Sequence, residues 1–298
     1  MKWLWKDHGK EPIKAGAGSQ QMKDVLKPGE GWTLVGEGYK FTEGPIANAK
    51  GEVFFTDVPA GKTFKVDLDG KVSRFSEDNG KSSGFAFGKD GTFYGVGGGG
   101  LVRFDSALKT TKIADGIAGN DFVALHDGTF YITAPGNNKN EIVFVDKEGK
   151  KSVVDTGIKF PNGITTSPDQ TLLYVAESRS HWVWSYQIQP DGTLKHKQKY
   201  FHLHAPDTAD EASADGLKVD RDGRLYVATR IGVQFCDQAG RVNGIIPTPN
   251  GKCANIAFGG EKFDVLYATC GDKVFRRKLK VTGYNHFEAP FKPKAPGL

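Results

Sequence analysis

One unit recurs six times along this chain, and that repeat constrains the fold more than any other feature. The segments Gly84 to Tyr94, Asp121 to Tyr131 and Gly216 to Tyr226 share one pattern: an apolar run, an Asp-Gly pair, then an aromatic-rich run. Further copies run from Gly163 to Tyr174 and, more worn, from Gly44 to Phe54 and from Asn255 to Tyr267. The first residues of successive copies are 40, 37, 42, 53 and 39 residues apart. Such spacing suits one four-stranded propeller blade per copy, and six copies predict an all-β, six-bladed β-propeller. The pairs Asp90-Gly91, Asp127-Gly128 and Asp222-Gly223 are read as two-residue hairpin loops between the first two strands of a blade. No segment shows a helical period. A strand at Trp32 to Val35 precedes the first copy, and lending it to the last blade would close the ring and remove its open edges. This reading divides the chain into an N-terminal extension (1–31), the propeller (32–281) and a C-terminal tail (282–298).

Composition narrows the function. Forty basic residues face 35 acidic ones with no basic block, so nucleic acid is not an expected partner. No apolar run approaches the ~18 residues of a membrane span. The charged start from Met1 to Lys10 lacks the apolar stretch of a signal peptide. A cytoplasmic monomer is therefore expected, or a periplasmic or secreted one if a leader precedes the sequence. Cys236, Cys253 and Cys270 are widely spaced and read as buried, reduced thiols.

In a propeller the first strand of every blade lines the central channel, so equivalent residues at its start converge at one mouth. The residues just before the six anchors are Glu43, Ser83, Asn120, Asn162, Asp215 and Ala254. Four of them offer carboxylate or carboxamide oxygens and none is basic. Such donors suit a hard cation, with Ca²⁺ first and Mn²⁺, Zn²⁺ or Fe²⁺ as alternatives. The other reading is that Asn, Asp and Gly are ordinary turn residues in front of strands.

The same residues lie in stretches that resemble the SMP-30/gluconolactonase family, also called regucalcin-like or luciferin-regenerating-enzyme-like. The matches are Glu43 to Pro45, Phe54 to Asp57, Asn120-Asp121, Pro161 to Gly163, Ala214 to Leu217 and Ala257 to Gly260. The run Gly232 to Phe235, with Gly240 and Ile246-Pro247, looks like the bacterial gluconolactonase version. The resemblance implies a divalent metal, usually calcium, and hydrolysis of sugar lactones. It implies Glu43, Asn162 and Asp215 as ligands, with Asn120 as fourth ligand or substrate contact. Some members carry a basic residue where this chain has Ala118, so aldonolactone selectivity does not transfer.

The expected chemistry is polarisation of a lactone carbonyl by the metal and attack of water, with Asp215 as general base or ligand only. Two alternatives use the same site: an organophosphate-hydrolysing propeller, and a non-enzymatic binding propeller with a structural metal. The insertion 205–213 is expected to overhang the mouth as a substrate-shaping flap. Tyr131, Thr133, Glu177, Ser178 and Arg230, at the ends of second strands, are expected to face away from it. Gly95 to Gly100 contains G-x-G-x-x-G but precedes a strand, which disfavours a dinucleotide site. His202 and His204 are read as part of a solvated outer strand rather than a metal site.

Overall fold

The computed structural model describes residues 19–136 and 139–295. Within them, twenty-four strands, β1 to β24 in chain order, form six four-stranded antiparallel sheets. The inner strands are β2 (Thr42–Ala47), β6 (Ser82–Phe87), β10 (Phe122–Ala124), β14 (Pro161–Thr166), β18 (Leu217–Val219) and β22 (Asn255–Gly259). Each begins at, or within two residues of, the register position that the repeat alignment singled out. The expected closure is present: β1 (Thr33–Glu37) pairs antiparallel with β24 (Lys273–Lys278) and becomes the outer strand of the sixth blade.

The hairpins differ from expectation in one respect. Gly91 adopts φ +80° and Gly128 φ +92°, but the Asp before each is not left-handed. The Gly91 amide donates to the Gly88 carbonyl and the Gly88 amide to the Thr92 carbonyl. The loops are thus three-residue turns ending in a left-handed glycine, not two-residue turns that need positive φ at both positions. The Asp earns its place another way: Asp90 Oδ1 accepts from the Thr92 amide at 3.0 Å.

Adjacent blades pack through large apolar side chains. Tyr226 of blade five meets Phe258 of blade six edge-on, with ring centroids 5.1 Å apart. Buried aromatics of this kind contribute roughly 1.5–3 kcal/mol each, which holds neighbouring sheets without a central core.

The segments flanking the repeat are more structured than a sequence reading suggests. A six-residue helix, Gln20–Val25, is capped by Ser19 and buries Val25 against blades five and six. Six residues are too few to display a period. The 3₁₀ turn Val58–Ala60 is shorter still. The chain after β24 crosses the end of the channel remote from the strand starts. There the Tyr284 amide donates to the Val219 carbonyl, Gln170 donates to the Tyr284 hydroxyl at 2.8 Å, and His286 bonds Thr166 at 2.9 Å. Tyr284 is 1 % exposed. Residues 284–287 therefore close the channel floor, and residues 1–18 and 296–298 lie outside the described part.

Candidate functional site

Glu43, Asn120, Asn162 and Asp215 stand at the open end of the channel, each at the start of its inner strand. Asn120 Nδ2 donates to Asn162 Oδ1 at 3.0 Å. Asn162 Nδ2 donates to Ser178 Oγ at 3.1 Å, and the Ser178 hydroxyl donates to the Ala214 carbonyl at 2.6 Å. This chain of bonds fixes the backbone that leads into Asp215. Glu43 Oε2 accepts from the Gly44 amide at 2.9 Å and from Asn255 Nδ2 at 3.2 Å. The two blades without a ring donor have local reasons. Ser83 spends its hydroxyl on the Asn120 carbonyl at 2.8 Å, and Ala254 has no polar group.

Electrostatics couple the two carboxylates. Both keep some contact with water through the mouth and are otherwise enclosed by protein. Burial pushes the Glu43 carboxyl up to about 7, with Asp121 adding to it and the Gly44, Asn255 and Lys218 contacts opposing. Burial raises Asp215 as well, and the charges of Glu43 and Asp121 push it further. Two carboxylates sharing one enclosed mouth resist joint ionisation.

A second layer lies one residue deeper, where four blades carry glycine and two carry Asp121 and Asn255. Two of the glycines, Gly84 and Gly216, make room for those side chains. A Cβ on Gly216 would stand 1.9 Å from Asn255 Oδ1, and one on Gly84 would stand 3.0 Å from Asp121 Oδ1. Above the ring, the residues two positions before Ser83, Asn162 and Asp215 are left-handed without being glycine: Lys81 (φ 59°), Phe160 (φ 60°) and Ser213 (φ 49°). Such backbone costs of order 1 kcal/mol or more per residue and collects at functional rims. Phe41, two before Glu43, is 42 % exposed there.

One expectation is overturned. The ends of the second strands share the ring's end of the channel, because an antiparallel hairpin returns its second strand to where the first began. Glu177 pairs with Pro161 in register, the Asp215 amide donates to the Ala228 carbonyl, and the Asn120 amide to that of Thr133. Ser178 therefore touches the ring, and Arg230 sits on its rim, paired with Glu211 at 3.3 Å. Tyr131 alone lies elsewhere, buried with its hydroxyl donating to the Gly192 carbonyl. The insertion 205–213 does reach the mouth: the Ala212 amide donates to the Ser180 carbonyl, and Arg230 Nη2 reaches Ser213 Oγ at 3.0 Å.

The minor motifs are hairpin and surface positions in the described residues. Gly97 and Gly100 face each other across the turn between β7 (Phe93–Gly97) and β8 (Gly100–Phe104), a hairpin with no helix. His202 is exposed and stacks on His181, ring centroids 5.1 Å apart. Among the described residues no three His, Cys, Asp or Glu side chains gather as metal ligands. The three cysteines are free thiols, with Cys236 and Cys270 buried. No helix among the described residues is long and apolar enough to cross a membrane.

Comparison with known proteins agrees with this architecture. Residues 41–272 match the SMP-30/Gluconolactonase/LRE-like region. A gluconolactonase of Zymomonas mobilis is 25 % identical, over 87 % of this chain and 83 % of that protein. Among solved structures, a putative gluconolactonase superposes with a TM-score of 0.80 at 22 % identity, covering 90 % of this chain and 98 % of the other. A calcium-binding regucalcin from Agrobacterium tumefaciens gives 0.74 at 18 %, covering 88 % and 98 %. The match spans all six inner strands, and the chain belongs to the SMP-30/gluconolactonase/LRE-like family.

Proposed function

We propose that this protein is a hydrolase of sugar lactones whose ring of Glu43, Asn120, Asn162 and Asp215 holds one divalent cation, calcium by preference. The observation that carries the reading is the convergence of two carboxylates and two amides, from four blades in one register, at the open end of a channel closed at the other. The donor set fits a hard cation. Every ring ligand is an oxygen, the two carboxylates repel each other without a cation, and two charges balance a divalent ion. The gluconolactonase name of the Zymomonas relative supports the substrate class.

When bound, the cation supplies Lewis-acid polarisation of the lactone carbonyl. The protein's own groups do the rest. Asn120 and Asn162, locked to each other and to Ser178, orient the carbonyl end of the substrate. Asp215 accepts a proton from the attacking water as its oxygen bonds to the carbonyl carbon. It returns that proton to the ring oxygen as the C–O bond breaks, leaving a hydroxy acid.

Acid release from glucono-1,5-lactone and a panel of pentono- and hexonolactones tests the reading. Turnover should vanish in chelator and return on adding Ca²⁺. Chelator-resistant turnover removes the metal from the account, and no turnover on any lactone removes the substrate class.

A further inference from the structure

The channel beneath the ring carries its own charges. Asp121 Oδ1 accepts from the Phe122 amide at 2.8 Å. Its Oδ2 is buried, in a residue only 6 % exposed, and has no donor among the described residues. Lys218, three residues below Asp215 on β18, reaches the same axis. Among the described residues its Nζ donates only to the Leu217 carbonyl, at 3.0 Å, and makes no direct ion pair. Lys218 also lines a cavity of about 30 Å³ with Phe122, Ile164, Thr165 and Asn285. Thr165 Oγ1 and Asn285 Nδ2 there lack partners too. A polar pocket of that size with several open partners is a site for ordered water. The ammonium acts electrostatically on both Asp121 and Glu43, and it is the largest influence opposing the burial of Asp121.

We propose that Lys218 is the internal counter-cation of the ring, balanced by Asp121, and that this pair sets how strongly the ring draws a divalent ion. The inference rests on the cation reading above. A fixed ammonium below the ring repels an incoming cation, and Asp121 offsets that repulsion. Removing the two charges must therefore act in opposite senses. Without the ammonium, Asp121 and the ring carboxylates have more to gain from an ion. Without the Asp121 charge, the ammonium faces the ion unshielded. Lys218 and Asp121 are thus positioning residues, acting on substrate only through the ring.

The test is thermal unfolding of the full chain at pH 7.5, in chelator and in saturating Ca²⁺, with calcium affinity from titration. Lys218→Met should widen the calcium-induced rise in Tm and tighten binding roughly tenfold. Asp121→Asn should narrow that rise and weaken binding by a similar factor. The double variant should return close to wild type. Equal loss of Tm in both conditions for each single variant would mark the pair as packing only and overturn the proposal. So would shifts of the same sign. If Lys218→Met does not fold, Asp121→Asn and the double variant still decide: failure of the second substitution to restore calcium binding overturns it. A wild-type protein with no calcium response would instead overturn the ring itself, which separates the two outcomes.

Discussion

The two ends of the channel are built from the same six strands and do opposite things. At the strand starts the lining is oxygen-rich, open and locally strained, with Glu43, Asn120, Asn162 and Asp215 facing one another. At the strand ends it is narrow and closed, and Tyr284 to Phe287 lie across it as a floor over the pocket that Lys218 and Thr165 line. The difference teaches where each function is stored. The open end is written in the repeat, one residue per blade, so four blades can contribute and two can abstain without disturbing the sheets. The closed end is written outside the repeat, in a segment that ties blades three, four and five together through His126, Gln170 and Val219. One end is specialised by substitution and the other by an added strap.

Substitutions at the two ends should therefore separate activity from stability. The largest effect is expected at the mouth. Asp215→Asn should lower kcat on the order of 10³-fold in an acid-release assay. The metal-free protein should meanwhile unfold no more easily, because one of two repelling carboxylates is gone. At the floor, Tyr284→Ala should cost about 3–5 kcal/mol in urea unfolding, the range for emptying a large buried aromatic site. Below the lowered Tm its kcat should stay within a few-fold of wild type. Activity lost in parallel with stability in both variants would erase the distinction between the ends.

A smaller effect should appear in the pH dependence of the metal-free protein. Folding lifts the Glu43 carboxyl from its ordinary 4.5 to about 7, so between those values the folded state holds a proton that the unfolded chain has released. Stability should then fall as pH rises through that window, by up to about 3 kcal/mol, and be fully spent above it. Denaturant midpoints across pH 4.5 to 7.5 in chelator should show the slope, and Glu43→Gln should flatten it. An unchanged slope in that variant would assign the proton to another group.

Much of this was legible in the sequence, for a physical reason. A repeat fixes which residues are equivalent, and a propeller places equivalent residues around one axis, so Glu43, Asn120, Asn162 and Asp215 could be brought together without coordinates. The same register held an unused signal. Its next position reads Gly44, Gly84, Asp121, Gly163, Gly216, Asn255, and the two exceptions to glycine are the second layer. Ser178 departs from expectation because the second strand of an antiparallel hairpin returns to the end where the first begins, which brings Ser178 to Asn162. Lys218 and Tyr284 were not legible. Lys218 matters through groups on other blades, and Tyr284 lies in a segment with no periodicity to fix its position.

The central claim is that these four side chains form a single divalent-cation site. Calorimetric titration of Ca²⁺ into chelator-stripped protein, beside Glu43→Gln and Asp215→Asn, tests it most directly. The account predicts one ion per wild-type chain and binding weakened about a hundredfold or more in both variants. Binding of wild-type strength in either variant, or none in the wild type, would contradict it.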